Sequence, residues 1–161
     1  MKALLDTHVF LWWVTDDEKL VPYIRDFIAD ETNELFLSSA SCWEIAIKTK
    51  IRRLKLPDKP EKFIPDQMIA NNIVGLPIQL VHALHVYNLP DHHRDPFDRM
   101  LVAQARIEKM PIITNDHLIA DYDVKILWDK KRRRLGVSSS FKRPDYFASH
   151  FAIILSTSSC E

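Results

Sequence analysis

Hydrophobic residues along the chain form short runs, separated by longer stretches with helical spacing. KALL, residues 2–5, reads as a buried strand that leads into a helical stretch through VFLWWV. From Pro22 onward, Tyr23, Ile24, Phe27 and Ile28 recur at helical spacing and predict an amphipathic helix. ELFLSS, residues 34–39, reads as a second strand, with SCWEIAIKTK as the helix after it. Prolines punctuate the stretch from Leu54 to Pro60, which reads as a loop. EKFIPDQMIANN follows as a helix that Pro65 limits to a short piece. IVGLPI is a third strand and QLVHALHVYNLP a helix. PFDRMLVAQARIEK is the clearest helix of the chain, and MPIIT (110–114) and DVKILW (123–128) are two further strands. No internal repeat is present.

Strands alternating with helices predict an α/β fold: a central parallel sheet with helices on both faces. Working sites of such sheets lie outside the carboxyl ends of the strands. Asp6 follows KALL, Glu44 lies beyond ELFLSS, and Asp116 follows MPIIT. Asp98 begins the clearest helix, whose start falls at the same edge. Each acid also has a local explanation. Asp95 suits a helix N-cap and Pro96 the first helical position. Asp98 then falls third, where the helix dipole favours an acid by ~0.3–1 kcal/mol. Ser41 and Glu44 match a capping box, and Asp6 and Asp116 suit caps. Four caps at one edge would nevertheless crowd like charges, which repel or protonate unless a cation sits among them. Three or four oxygen donors make the environment that Mg²⁺ or Mn²⁺ prefers. The acids lie far apart in sequence, so only folding can gather them, and spacing alone does not carry the assignment.

Composition narrows the classes. A chain of 161 residues suits one domain with a sizeable core. Its formal net charge of +0 gives no global pull toward nucleic acid, so any such binding rests on local patches. Only Gly75 and Gly136 are glycines, too few for a Gly-rich phosphate loop. Cys42 and Cys160 form no disulfide framework, which fits a reducing cytoplasm. MKALLD runs straight into a strand, so no signal peptide is expected, and no apolar run approaches the roughly 18 residues of a membrane span.

Four blocks, in order, are MKALLDTHVFLWW, SCWEIAIK (41–48), HRDPFDRMLVAQA and IITNDHLI. Together they resemble the PIN-domain ribonucleases, above all the toxin component of VapBC-type toxin–antitoxin modules, over residues 1 to about 128. DPFDRMLVAQA is the most specific block. The resemblance implies a PIN-like three-layer α/β/α sandwich and RNA hydrolysis with Mg²⁺ or Mn²⁺ held by Asp6, Glu44, Asp98 and Asp116. Asp6 and Asp98 are the expected direct ligands. Glu44 and Asp116 would bind a second ion, act through water or orient the nucleophile. Asp95 is left as the cap. Relatives often have alanine where Asn115 stands between Thr114 and Asp116, a change that leaves the acid in place. Thr114 is expected to support the site through its hydroxyl. Arg99 is either a contact to the scissile phosphate or a salt-bridged helix residue. The implied partners are RNA, a cognate antitoxin protein and a second copy of the chain, in the cytoplasm.

Other features have competing readings. His82, His85, His92 and His93 raise a zinc site, but no cysteine lies nearby. Partly buried or solvated imidazoles are the default, with one of the loop pair a candidate to line the RNA channel. Of Trp12 and Trp13, one should face the core. The other would be more exposed, to stack a base or anchor a partner. Lys48, Lys50, Arg52 and Arg53 either extend a phosphate track or form a solvated face. Residues 129–161, opening DKKRRR, depart from the family pattern. They are read as an atypical, partly disordered C-terminal extension with poor order over 130–145. The rival functions are a non-catalytic PIN-like RNA- or partner-binding domain, and a phosphatase of the haloacid-dehalogenase type. The phosphatase needs a second aspartate two residues after Asp6, where this chain has His8.

Overall fold

A computed structural model describes residues 1–128. Its five strands, β1 (Lys2–Leu5), β2 (Glu34–Ser38), β3 (Ile73–Leu76), β4 (Ile112–Ile113) and β5 (Ile126–Leu127), pair in parallel in the order β3-β2-β1-β4-β5. The helices are α1 (Thr7–Thr15), α2 (Pro22–Ala29), α3 (Ser39–Lys50), α4 (Pro60–Ala70), α5 (Leu80–His85), α6 (Pro96–Ile107) and α7 (His117–Ala120). A 3-10 turn, Val86–Asn88, follows α5.

Strand side chains alternate between faces, and that alternation sorts the core into two layers. Ala3, Leu5, Leu35, Leu37 and Ile113 pack with Val9, Phe10 and Trp13 of α1, Ile24 and Ile28 of α2, and Phe63 of α4. Leu4, Phe36 and Ile112 point the other way, onto Leu101 and Val102 of α6, Leu89 and Ile119. The result is an α/β/α sandwich. Because both faces of the sheet are covered, its strands read as unbroken apolar runs.

From the centre the chain builds β2 and β3 on one side of β1, then crosses to β4 and β5 on the other. Strand order therefore reverses between β1 and β4, where a crevice opens at the carboxyl edge of such sheets. Leu37, Leu5 and Ile113 are level across β2, β1 and β4. The residues that follow them, Ser38, Asp6 and Thr114, form a buried row along that edge. Gln104 clamps α6 to it. Ser38 Oγ donates to Gln104 Oε1 at 2.6 Å and accepts from the Ala40 amide at 2.9 Å, while Gln104 Nε2 donates to the Pro77 carbonyl at 3.2 Å.

Several elements differ from the sequence reading. Ser39 belongs to α3, whose N-cap is Ser38. Ser41 is therefore a buried residue inside the helix, and the Ser41–Glu44 capping box does not form. Pro65 does not shorten its helix: α4 runs unbroken over Pro60–Ala70. Pro65 is exposed and removes a single backbone bond, while the adjacent buried Phe63 and Ile64 pin that turn to the core. β4 is shorter than MPIIT because Pro111 has no N–H for the ladder. QLVHALHVYNLP divides into α5 and the 3-10 turn, and the helix or turn expected after Asp116 is the single-turn α7. Trp13 is the tryptophan that faces the core, donating Nε1–H to Asn71 Oδ1 at 2.8 Å, and Trp12 is half-buried against Trp128. The expected extension, 129–161, and its poor order over 130–145 lie outside the described residues.

Gln104→Leu should leave the fully buried Ser38 Oγ without its acceptor and the carbonyl of the exposed Pro77 without its donor. We expect a loss of about 1–3 kcal/mol in urea denaturation. Because Ser38→Ala removes the same hydrogen bond, the double variant should lose less than the two single losses added together.

Candidate active site

Two of the four candidate acids, Asp6 and Asp116, cap helices with one carboxylate oxygen and keep the other for the crevice. Asp6 Oδ1 accepts from the His8 amide at 2.9 Å at the start of α1, and its Oδ2 accepts from the Thr114 hydroxyl. Asp116 Oδ1 caps α7 through the Leu118 amide at 2.8 Å, while its Oδ2 lies 3.2 Å from His93 Nε2. Asp98 occupies the first turn of α6, whose cap is Asp95, accepting from the Phe97 amide at 2.8 Å. Asp98 is thus free of capping, and its Oδ2 lies 3.3 Å from the same His93 Nε2. Glu44, buried in the middle of α3, is paired with Lys48 one turn on. Capping and chemistry are therefore compatible at Asp6 and Asp116.

Among the described residues, His93, Asp98 and Asp116 are the one group of at least three His, Cys, Asp or Glu side chains whose ligand atoms all lie within 4.8 Å of each other. Of the four expected acids, Asp98 and Asp116 belong to this group, while Asp6 and Glu44 lie near enough to act on Asp98, both raising its pKa. The zinc reading of the histidines does not hold: His82 is fully buried, capping α5 and bonded to Glu108 at 3.0 Å, and of the four only His93 joins the acids.

His93 was legible only as half of a loop pair. Its Nδ1 accepts the Asp95 amide at 3.0 Å, which leaves the proton of the neutral ring on Nε2. That N–H points into the Asp98–Asp116 pair. In this tautomer Nε2 has no lone pair for a cation, so the carboxylates are the donors and His93 is their hydrogen-bond partner.

The loop that delivers His93 hangs on Arg99. Nη1 donates to the carbonyls of Pro90 at 2.8 Å and His93 at 3.3 Å, and Nη2 to those of Val86 at 3.1 Å and Leu89 at 3.2 Å. Nη1 also meets Asp91 Oδ1 at 3.2 Å. Of the two readings held for Arg99, the geometry supports the salt-bridged helix residue: its donors are committed to its own loop. Tyr122 adds a second tie, accepting the His93 amide at 2.9 Å. Thr114 joins Asp6 to Asp116, donating its hydroxyl to the Asp6 carboxylate and accepting the Asp116 amide at 3.0 Å.

Crowding sets the electrostatics. Burial first, then the charge of Asp6, with smaller contributions from Asp95 and Glu44, pushes the Asp98 carboxyl up to about 7, against the opposing influence of His93. Asp6 moves the other way. Burial, its largest single influence, would raise it, but the nearby His8 imidazole and hydrogen bonds from Thr114 and the His8 backbone outweigh that and lower it. His8 Nδ1 lies 3.6 Å from Asp6 Oδ1. The Asp6 carboxylate at that distance, aided by the charge of Glu44, raises the His8 pKa against burial and Lys48. Asp6 thus adds stability above its unfolded pKa that is lost as pH falls through its lowered one. Asp98 costs stability progressively as pH rises from the usual carboxylate range to about 7. Oxygen donors crowded enough to hold back the ionisation of Asp98 fit a hard divalent cation, whose charge would offset that crowding.

The profile of the PIN domain family matches residues 3–125. Ribonuclease VapC16 of Mycobacterium tuberculosis is 33% identical over 61 residues, 38% of this chain and 43% of that protein, so the chain spans under half the length of this curated relative. Among solved structures, a chain of VapBC2 from Rickettsia felis, bound to a DNA fragment from its promoter, superposes with a TM-score of 0.59. It is 13% identical over 80% of this chain and 100% of that one. A chain of DNA-bound VapBC from Salmonella typhimurium gives 0.58 at 18% identity, over 79% and 97% respectively. At these identities the two structures establish the likeness of fold.

Because His93 lowers the Asp98 pKa, His93→Ala should raise it further above 7 in the metal-free protein. A ¹³C-carboxyl NMR titration reads this directly; an unchanged or lower value would contradict the arrangement.

Proposed function

This chain belongs to the PIN domain family, and on that premise we propose that it is a metal-dependent endoribonuclease, the toxin of a toxin–antitoxin module. The observation that carries the reading is the carboxylate cluster at the β1/β4 crevice, where Asp98 and Asp116 converge on one point and Asp6 and Glu44 flank them. On this reading residues 1–128 are the nuclease domain.

Asp98 and Asp116 are the residues that would hold Mg²⁺ or Mn²⁺. Asp6, each of whose oxygens accepts one hydrogen bond, keeps further lone pairs for it. A divalent ion there supplies a lowered pKa for an attacking water and counter-charge for the phosphate oxygens. The chain's own residues do the positioning. Thr114 fixes the orientation of Asp6 and ties it to the Asp116 backbone. Lys48 neutralises Glu44 until a substrate phosphate or second ion competes for it. Arg99 and Tyr122 hold the loop so that His93 stays over the acid pair and keeps its proton directed at them.

An antitoxin and a second copy of the chain are the proposed protein partners, and the proposed compartment is the cytoplasm. Among the described residues no helix is long and apolar enough to cross a membrane. Two surfaces offer the apolar area that protein partners need. One is the exposed row Leu80, Val81, Leu84 and Tyr87. The other is a groove between α3 and α4 bordered by Ala46, Ile64 and Met68, whose rim carries Lys50, Arg52 and Lys59.

The nuclease reading predicts cleavage within a panel of structured and single-stranded RNAs in Mg²⁺ or Mn²⁺, none in EDTA, and loss of at least about 100-fold in Asp6→Asn and Asp98→Asn. Equal cleavage by wild type and variants, or none by any, sinks it; metal-independent RNA binding without cleavage would favour the non-catalytic domain instead. Ion binding must also deprotonate Asp98. Affinity for Mn²⁺ should therefore rise up to about tenfold per pH unit as pH approaches 7 and flatten above it. Calorimetry in two buffers of different ionisation enthalpy should show proton release below pH 7 and little above.

A further inference from the structure

We propose that Trp43 is the platform on which an unpaired RNA base stacks beside the scissile phosphate, an inference that rests on the ribonuclease reading above. Trp43 is 60% exposed, although it directly precedes the buried Glu44. It belongs to neither core cluster, so the fold does not account for its size. Its ring meets Phe97 edge-on, with centroids 5.2 Å apart at 78°. Phe97 in turn directly precedes Asp98. The aromatic pair therefore joins α3 to the start of α6 immediately beside two of the acids. An edge-to-face pair covers at most one face of the indole, which leaves the other open.

The exposed side of α3 continues the argument. Ile47 and Lys50 follow Trp43 at helical spacings of four and seven, both exposed. Lys50 lies about 10 Å along the helix from Trp43, and the exposed Arg52 and Arg53 come just after. An aromatic face at the acid cluster with cations leading away from it is the combination that binds single strands: bases stack on the ring while phosphates follow the charge. A protein anchor of the hot-spot kind sits instead in a desolvated pocket at the centre of an apolar patch. Trp43 shares its helix face with the exposed Ile47 and Ile51. It stands directly beside the acids, however, with Lys50, Arg52 and Arg53 beyond, and that place at the cutting site favours RNA. Stacking is tolerant of base identity because every base has a π-face, so Trp43 requires an unpaired base and does not choose which one.

The test uses the full chain carrying Asp98→Asn, in EDTA at low salt, so that a bound strand is not cut and no ion is required. Fluorescence anisotropy measures binding of a labelled single-stranded oligoribonucleotide and of the same backbone made abasic. Adding Trp43→Ala should weaken binding of the base-bearing strand about 5- to 150-fold and leave the abasic strand unaffected, and Trp43→Phe should recover most of the loss. An equal effect on both strands, no effect on either, or no binding by the Asp98→Asn parent overturns the proposal. Cleavage by the wild-type chain tells the two failures apart: if it cuts RNA, only the stacking role falls, and if it does not, the nuclease reading falls too. Loss confined to binding of a protein partner, with RNA affinity intact, would likewise overturn the assignment.

Discussion

The structure turns on a repulsion. Four carboxylates meet at the carboxyl edge of β1 and β4, two of them almost wholly buried, in a place where like charges should protonate or part. Each is kept there by a different neighbour. Asp6 has two amide- or hydroxyl-donated hydrogen bonds and a nearby imidazole, Glu44 has a lysine one turn away, and Asp98 and Asp116 share the N–H of His93. The compensation is incomplete at one point. Asp98, which caps nothing, carries the unresolved charge, and its carboxyl is pushed up to about 7. A cation is what the cluster lacks electrostatically, and the shape of the sheet puts that deficit in the open crevice where strand order reverses.

The loop and first turn of α6 divide the labour residue by residue. Asp95 caps the helix with its side chain and fixes the His93 tautomer with its amide. Pro96 occupies the first helical position, where a missing N–H costs nothing. Phe97 supports Trp43, Asp98 faces the acids, and Arg99 pins the loop that brings His93. Further along, Gln104 locks the helix against β2 and the end of β3, which sets the level at which all of this meets the sheet. One contiguous stretch can hold so many roles because the first turn of a helix directs successive side chains around the full circle, toward the sheet, the crevice, the neighbouring helix and the loop.

Much of this was legible in the sequence. Apolar runs of two to four residues marked all five strands, because a parallel sheet covered on both faces admits nothing else. Amphipathic spacing marked α2 and α6, and the order of strands and helices located the working edge. Boundaries were less legible. Ser38 and Ser41 are both good caps in isolation, and only the end of β2 decides that Ser38 takes the role. Pro65 carries a helix-breaking signal that the burial of Phe63 and Ile64 overrides. α7 is a single turn, too short for periodicity to register.

The sequence by itself determined the fold class and the family, and it nominated the four acids, since these follow from local patterning and from motifs that are contiguous in the chain. Tertiary structure alone decided how the acids are grouped. The pairing of Asp98 with Asp116 through His93, the commitment of Arg99 to its own loop and the exposure of Trp43 beside Glu44 all join residues distant in sequence or depend on which way a side chain turns. Such relations are set by strand register and helix packing, which the order of residues implies only through the completed fold.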